Sequence, residues 1–301
     1  MTVSALRLNP AKMVTQKTAP YLFLVPVLLF GLVFFALPLV ASLYLSFTSW
    51  NSLVAPRWIG LANYEHLFTR DPLFLKTLLN TLVFTVGVVG IGVPASLLLA
   101  GVFSRSRYQA LWRSIYSLPM VTNVVAVGFI WWFVLADPWG VLNRLLALIG
   151  IAGPAWLNDP STAMIAVVMV FVWMHLGQNM LLFSAGLGAI DESLHEAARI
   201  DGASEARIFW SITLPLLRPT ILFVLITSVI TAISYFALIL VLTEGGPVNS
   251  TNVTALYIYG MAFTDLRLGR ASAAAYVLLV VIFLVSLLQL RVLRRGGVEA
   301  Y

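Results

Sequence analysis

The sequence predicts an all-α polytopic membrane protein with six transmembrane helices, on three observations. Of its 301 residues, 60% are hydrophobic and 10% charged, with a mean hydropathy of +0.96. Soluble domains carry about 25% charged residues. The apolar residues fall in long runs, and a bilayer core takes about 20 per helix. The short alternating segments of a membrane barrel are absent. Backbone groups in lipid must pair within their own segment, so these runs predict helices.

The runs are Tyr21–Phe47, Leu78–Phe103, Leu111–Leu135, Thr162–Leu187, Leu216–Thr243 and Ala271–Leu293. The first is too long for a signal-peptide core of about 7–15 residues and predicts a retained anchor. Gly92, Ser96 and Ala100 give the second a small-residue stripe for close helix approach. The third is interrupted by Thr122 and Asn123, with Pro119 just before them. Trp131, Trp132 and Trp139 suit an interfacial belt at its far end.

Basic residues set the orientation. One side holds Arg7, Lys12, Lys17, Arg105, Arg107, Arg113, Arg199, Arg207, Arg218, Arg291, Arg294 and Arg295. The other holds Arg57, Arg70, Lys76, Arg144, Arg267 and Arg270, a twelve-to-six split of the 18. Both termini and the loop after the fourth run are therefore expected in the cytoplasm. Basic loops also account for the net charge of +6 without a nucleic-acid partner.

Several chemistries are excluded. There is no cysteine, hence no disulfide or thiol chemistry. The three lysines, Lys12, Lys17 and Lys76, never follow glycine, so no phosphate-cradling P-loop is present. His195-Glu196 opens like a zinc-protease motif, but Arg199 stands where the second histidine belongs. His66 and His175 have no His or Cys nearby in sequence to share a metal. Glu65, Asp137, Glu196, Asp201, Glu244 and Asp265 fall in loops or at helix ends, which disfavours an ion-coupled secondary transporter.

The most ordered loop is Glu196 to Pro215, EAARIDGASEARIFWSITLP. Ser193 could cap a helix with Glu196 reaching back to it. Gly202 could end that helix at positive φ. Residues 203–212 suit a second helix, and Pro215 could open the membrane helix that follows. Read residue by residue, this is a capped helix–turn–helix on the membrane surface. Read as a pattern, Glu196-Ala197-Ala198, three residues, Gly202, nine residues, Ile212-x-Leu214-Pro215, it resembles the EAA loop of bacterial ABC importer permeases.

That resemblance implies a type I importer permease fold (MetI-like), with a cytoplasmic tail over 1–19, a permease domain over 20–301, a family core over about 76–293 and a coupling loop over 190–215. Glu196, Ala197, Ala198, Asp201, Gly202, Ala203, Ile212, Leu214 and Pro215 would form the ATPase-coupling surface. The implied partners are a second homologous permease, two ATP-binding cassette ATPase subunits and an extracytoplasmic solute-binding protein, in the inner membrane of a bacterium or archaeon. No cofactor or metal is expected on this chain; ATP and Mg would sit on the ATPase. Gly60-Leu61-Ala62-Asn63-Tyr64 and Gly245-Gly246-Pro247 are similar to segments of carbohydrate permeases of the maltose and glycerol-phosphate type. A glycerol phosphate ester, a peptide or an ion is the alternative solute.

Polar groups at membrane depth are candidates for the solute pathway: Thr122, Asn123, His175, Gln178, Asn179, Ser234 and Tyr235. Amide, hydroxyl and aromatic groups suit a neutral sugar. Interhelical hydrogen bonding explains the same residues equally well, and for His175 packing is the favoured reading.

Overall fold

A computed structural model describes residues 19–294 except positions 52 and 105. The tail through residue 18, with Arg7, Lys12 and Lys17, lies outside the described residues, as do Arg105 and Arg295.

Proline shapes the first span. Helix α1 (Ala19–Gly31) passes through a π-helical turn, Leu32–Ala36, into α2 (Leu37–Ser46). Pro38 cannot donate to the carbonyl four residues back. The Leu37 amide instead bonds Leu32, five back, and the turn widens. None of the most apolar window of Tyr21–Ser46 is buried, so this helix offers apolar side chains all round. Its far end is tied to the last helix by Tyr276, whose hydroxyl donates to the Leu39 carbonyl.

A two-residue ribbon follows, β1 (Thr48–Ser49) antiparallel to β2 (Arg57–Trp58), with Thr48 opposite Trp58. Asn63, in α3 (Ala62–Thr69), fastens this corner. Its buried Nδ2 donates to the carbonyls of Ser46 and Thr48, each at 2.8 Å. Asn63→Ala would orphan both carbonyls, at about 1–3 kcal/mol. A lower unfolding midpoint in detergent is the expected result.

The centre is built on α4 (Pro72–Ser104) and α8 (Ala163–Gly188). The small-residue stripe is their contact: Val172 lies 3.5 Å from where a Gly92 Cβ would stand, and Ala100 is fully buried. Ser96 Oγ donates to the Gly92 carbonyl at 2.6 Å and reaches Leu176 O at 3.3 Å. Phe84 and Phe171 meet edge to face at 5.2 Å in the largest apolar cluster.

Two expected spans are broken. The third is α5 (Gln109–Val121) and α6 (Val124–Leu135), bent by 97°. Thr122 is extended, and Asn123 Oδ1 accepts from the Val125 amide at 2.8 Å, which starts a new helix. The fifth, expected unbroken over 216–243, is interrupted twice. A 67° bend separates Glu205–Leu216 from α12 (Arg218–Ser234). Extended backbone at Tyr235 then separates α12 from α13 (Ala237–Leu242). Among the described residues four uninterrupted helices are long and apolar enough to cross a membrane, and six if each bent pair is one span. α7 (Val141–Leu148) and α14 (Thr254–Tyr259) lie in the loops opposite 190–215, and α15 (Leu268–Arg294) ends the bundle.

Candidate functional site

The loop between α8 and α12 folds as α9 (Glu192–Ile200), α10 (Glu205–Ile208), a π turn Phe209–Thr213 and α11 (Leu214–Leu216). The expected Ser193 cap is corrected: Asp191 caps α9, its Oδ1 accepting from the Ser193 amide at 3.0 Å. A carboxylate two residues earlier is the stronger acceptor. Gly202 ends α9 at φ +78°. The Gly202 amide bonds Arg199 O and the Ala203 amide bonds Ala198 O, the paired closure of a Schellman cap. Ser204 then caps α10, accepting from the Arg207 amide.

The second expected helix is shorter than 203–212, and Pro215 does not open the membrane helix. Without an amide hydrogen it sits inside α11, and Leu214 bonds Phe209, five residues back. The membrane helix starts after Leu217, with Pro219 in its first turn.

Glu196, Ala197, Asp201 and Gly202 are exposed along the outer edge of the loop, with Ala198 and Ala203 half-buried behind them. Ile212, Leu214 and Pro215 are half-buried at the foot of α12 and anchor the loop there. The loop thus offers one accessible edge and one fixed edge. Two residues that motif reading missed join them. The His195 side chain, 13% exposed, lies with Nε2 3.1 Å from Thr213 Oγ1, across the loop, and Nδ1 3.4 Å from Glu192 Oε2. Arg199 donates to Glu205 at 3.0 Å and Glu192 at 3.2 Å, tying α9 to α10. The signal was the i, i+3 and i, i+7 spacing of these residues about Glu192. Behind the loop lies a cavity of about 860 Å³, walled by α4, α5 and α8.

The charges are tuned to stay ionised. Arg199, then His195, hold the Glu192 carboxyl below its ordinary 4.5. The Ser193 amide holds Asp191 below 3.8, and Glu205, then Glu192, raise Arg199. For depressed carboxylates the contribution exists above the ordinary value and is lost as pH falls through the lower one. The Asp191 and Glu192 carboxylates therefore hold their bonds in the ionised form across the neutral range.

The second cluster lies in the bundle. His175, Gln178 and Asn179 of α8 line a cavity of about 40 Å³ with Thr227, Ser228 and Thr231 of α12. Asn179 Nδ2 donates to Ser228 Oγ at 3.2 Å. The His175 ring stacks on Phe171 at 4.0 Å, Nδ1 bonds the Phe171 carbonyl, and Tyr235 meets both rings edge-on. That space holds water-sized groups and excludes a sugar in this conformation. Thr227, Thr231 and Ser234 were legible as one stripe at four- and three-residue spacing. Ser234 is exposed at the helix end. Thr122 and Asn123 are not brought to this cavity; Thr122 Oγ1 bonds Leu118 O, and Asn123 caps α6.

Comparison with known proteins follows the same outline. Residues 92–296 match the family model described as binding-protein-dependent transport system inner membrane component. The probable ABC transporter permease protein YesP of Bacillus subtilis is 36% identical over 90% of this chain and 88% of its own length. The lactose transport system permease protein LacF of Rhizobium radiobacter is 34% identical over 89% of this chain and 92% of its own. One chain of a bacterial ABC transporter that imports the acidic polysaccharide alginate has the same fold, with a TM-score of 0.82 over 95% of this chain and 98% of that one at 24% identity. The chain therefore belongs to the binding-protein-dependent transport system inner membrane component family and is a multi-pass permease subunit of an ABC importer.

Proposed function

We propose that this permease carries a neutral carbohydrate into the cell by alternating access, with ATP hydrolysed on partner subunits. The observation that carries the reading is the loop over 190–215, exposed at Glu196, Ala197, Asp201 and Gly202 and fixed at the foot of α12 by Ile212, Leu214 and Pro215. A surface that can be gripped, joined rigidly to a membrane helix, is what transmits closure of an external ATPase. The basic residues favour a cytoplasmic loop and cytoplasmic termini. The ATPase, with its ATP and Mg, would then meet the loop from that side. A second homologous permease would complete the pathway, and an extracytoplasmic solute-binding protein would deliver the sugar.

Two features favour a neutral sugar. LacF is named for lactose, and the bundle cavity is lined by amide, hydroxyl and imidazole groups without Lys, Arg, Asp or Glu. The test is to capture the tagged chain from its native membranes in mild detergent and identify what accompanies it by mass spectrometry. Recovery of a P-loop ATPase and a second six-helix permease is expected; the intact chain alone would overturn the reading. The captured complex, rebuilt in vesicles with its binding protein, is then offered labelled sugars, glycerol phosphate and peptides. Uptake of a neutral sugar is expected, and Asn179→Leu should cut it about tenfold, the worth of one lost polar contact. Unchanged uptake in that variant would reduce Asn179 to a helix-packing residue.

A further inference from the structure

We propose that the end of the bundle opposite the coupling loop carries an entry subsite for one ring of a neutral pyranose, formed by the Trp132 indole, the Glu244 carboxylate and Asn158. The proposal rests on the carbohydrate reading above and adds to it a site, separate from the cavity in the bundle. These three residues line a single cavity of about 270 Å³ together with Thr243, Gly246 and Pro247. That lies below the roughly 300–1,000 Å³ of sites for drug-sized ligands and suits a single ring. The end of the molecule follows from the chain itself, since α8 begins just after Asn158 and runs to the loop at 190–215.

The chemistry is that of sugar recognition. A pyranose has an apolar C–H face and an edge of hydroxyls. Trp132 is 51% exposed and has no aromatic ring partner among the described residues, whereas Trp131 beside it is met edge-on by Trp173 at 5.4 Å. An indole face left open at a cavity wall is available to a C–H face. The Glu244 carboxylate has no hydrogen bond or ion pair among the described residues, and its two oxygens can accept from neighbouring hydroxyls. Asn158 can both donate and accept.

The frame is fixed before any ligand arrives. Glu244 stands at φ +51°, an uncommon conformation for a residue other than glycine. The surrounding bonds over-determine it: the Glu244 amide bonds Ile239 O at 3.1 Å and the Gly246 amide bonds Thr243 O at 2.7 Å. Thr251 Oγ1 donates to Gly246 O at 2.7 Å. Backbone strain held in place this way gathers at functional sites. The helix that carries the indole packs closely on α13, which leads into the same turn. Gly128, one helical turn before Trp132, admits Val241 so closely that a Cβ there would lie 2.6 Å from it. The carboxylate also selects, because it repels anionic sugars.

The test uses the whole importer complex in nanodiscs without its binding protein, with saturation-transfer NMR on methyl α-glucopyranoside and maltose, and glucuronate as the charged control. Saturation should reach the ring protons of the two neutral sugars and be weak on glucuronate. Trp132→Ala should abolish the transfer while Trp132→Phe retains it, and Glu244→Gln should weaken binding about tenfold and narrow the gap to glucuronate. Both positions are exposed, so the variants should assemble, and co-purification of the partner subunits checks that they do. Equal transfer in wild type, Trp132→Ala and Glu244→Gln would overturn the subsite. So would absence of transfer in a wild-type complex that still imports sugar. A complex that imports no sugar at all would overturn the carbohydrate reading itself, and the subsite with it.

Discussion

Gly202→Val is expected to cut solute uptake about five- to thirtyfold while leaving the amount of inserted chain close to wild type. At φ +78° a side chain costs about 1–2 kcal/mol, most for a β-branched one, which is a five- to thirtyfold shift away from the native turn. The two closing bonds from Gly202 and Ala203 would be lost with it, and α9 would no longer be aimed by α10. No atom lies within 4 Å of a Cβ built there, so the effect is conformational and not a clash. Three variants separate the turn from the surface. Gly202→Asn, which visits the left-handed region readily, should retain most activity. Gly202→Asp keeps that tolerance but puts a charge on the exposed edge, and should lose ATPase docking with the loop still folded. Solute-stimulated ATP hydrolysis and co-purification of the ATPase read both. Normal stimulation in the Val and Asp variants would remove the coupling role from this loop.

Gly177→Ala should be the most damaging single-methyl addition in the bundle. A Cβ there would fall on the carbonyl of Tyr116, and backbone cannot rotate away as a side chain can. α5 would have to move off α8, at about 3 kcal/mol or more. The unfolding midpoint in detergent should fall by roughly 5–10 °C. Gly90→Ala on the neighbouring α4 is the control: nothing lies within 4 Å, and alanine is the better helix former by about 1 kcal/mol. Its midpoint should hold or rise. Equal melting of the two variants would mean that α5 and α8 do not meet through that contact.

Much of this was legible because membrane physics simplifies sequence. Long apolar runs have one folded answer, so the spans from Tyr21, Leu78, Thr162 and Ala271 stand where composition put them. The two broken spans were harder, since what breaks them is local competition for backbone hydrogen bonds. Asn123 won by capping, which a polar residue in an apolar run signals only weakly. The fifth span breaks at Leu217 between Pro215 and Pro219, and the sequence reading points to the first of these prolines as the start of the helix where the structure uses the second. In the loop, Gly202 was readable because glycine takes that φ at least cost. The cap of α9 was not, since Asp191 and Ser193 are both competent acceptors two residues apart, and the stronger carboxylate took the place. His195 was hidden for another reason: its partner Thr213 lies 18 residues away, and no local spacing encodes that pairing.

The two π turns that precede Pro38 and Pro215 have a consequence for how this chain tolerates change. Each holds one residue more than an α-helical turn would, and every added residue advances a helix by about 100° in azimuth. The turn at Phe209–Thr213 is therefore a phase shifter between the gripped half of the loop and the membrane helix. It aligns Thr213 with His195 by the number of residues intervening, whatever their side chains. Substitutions at Trp210 or Ser211, both on the surface, leave that count untouched, whereas the loss or gain of one residue would rotate one half against the other. What this segment constrains most strictly is its length.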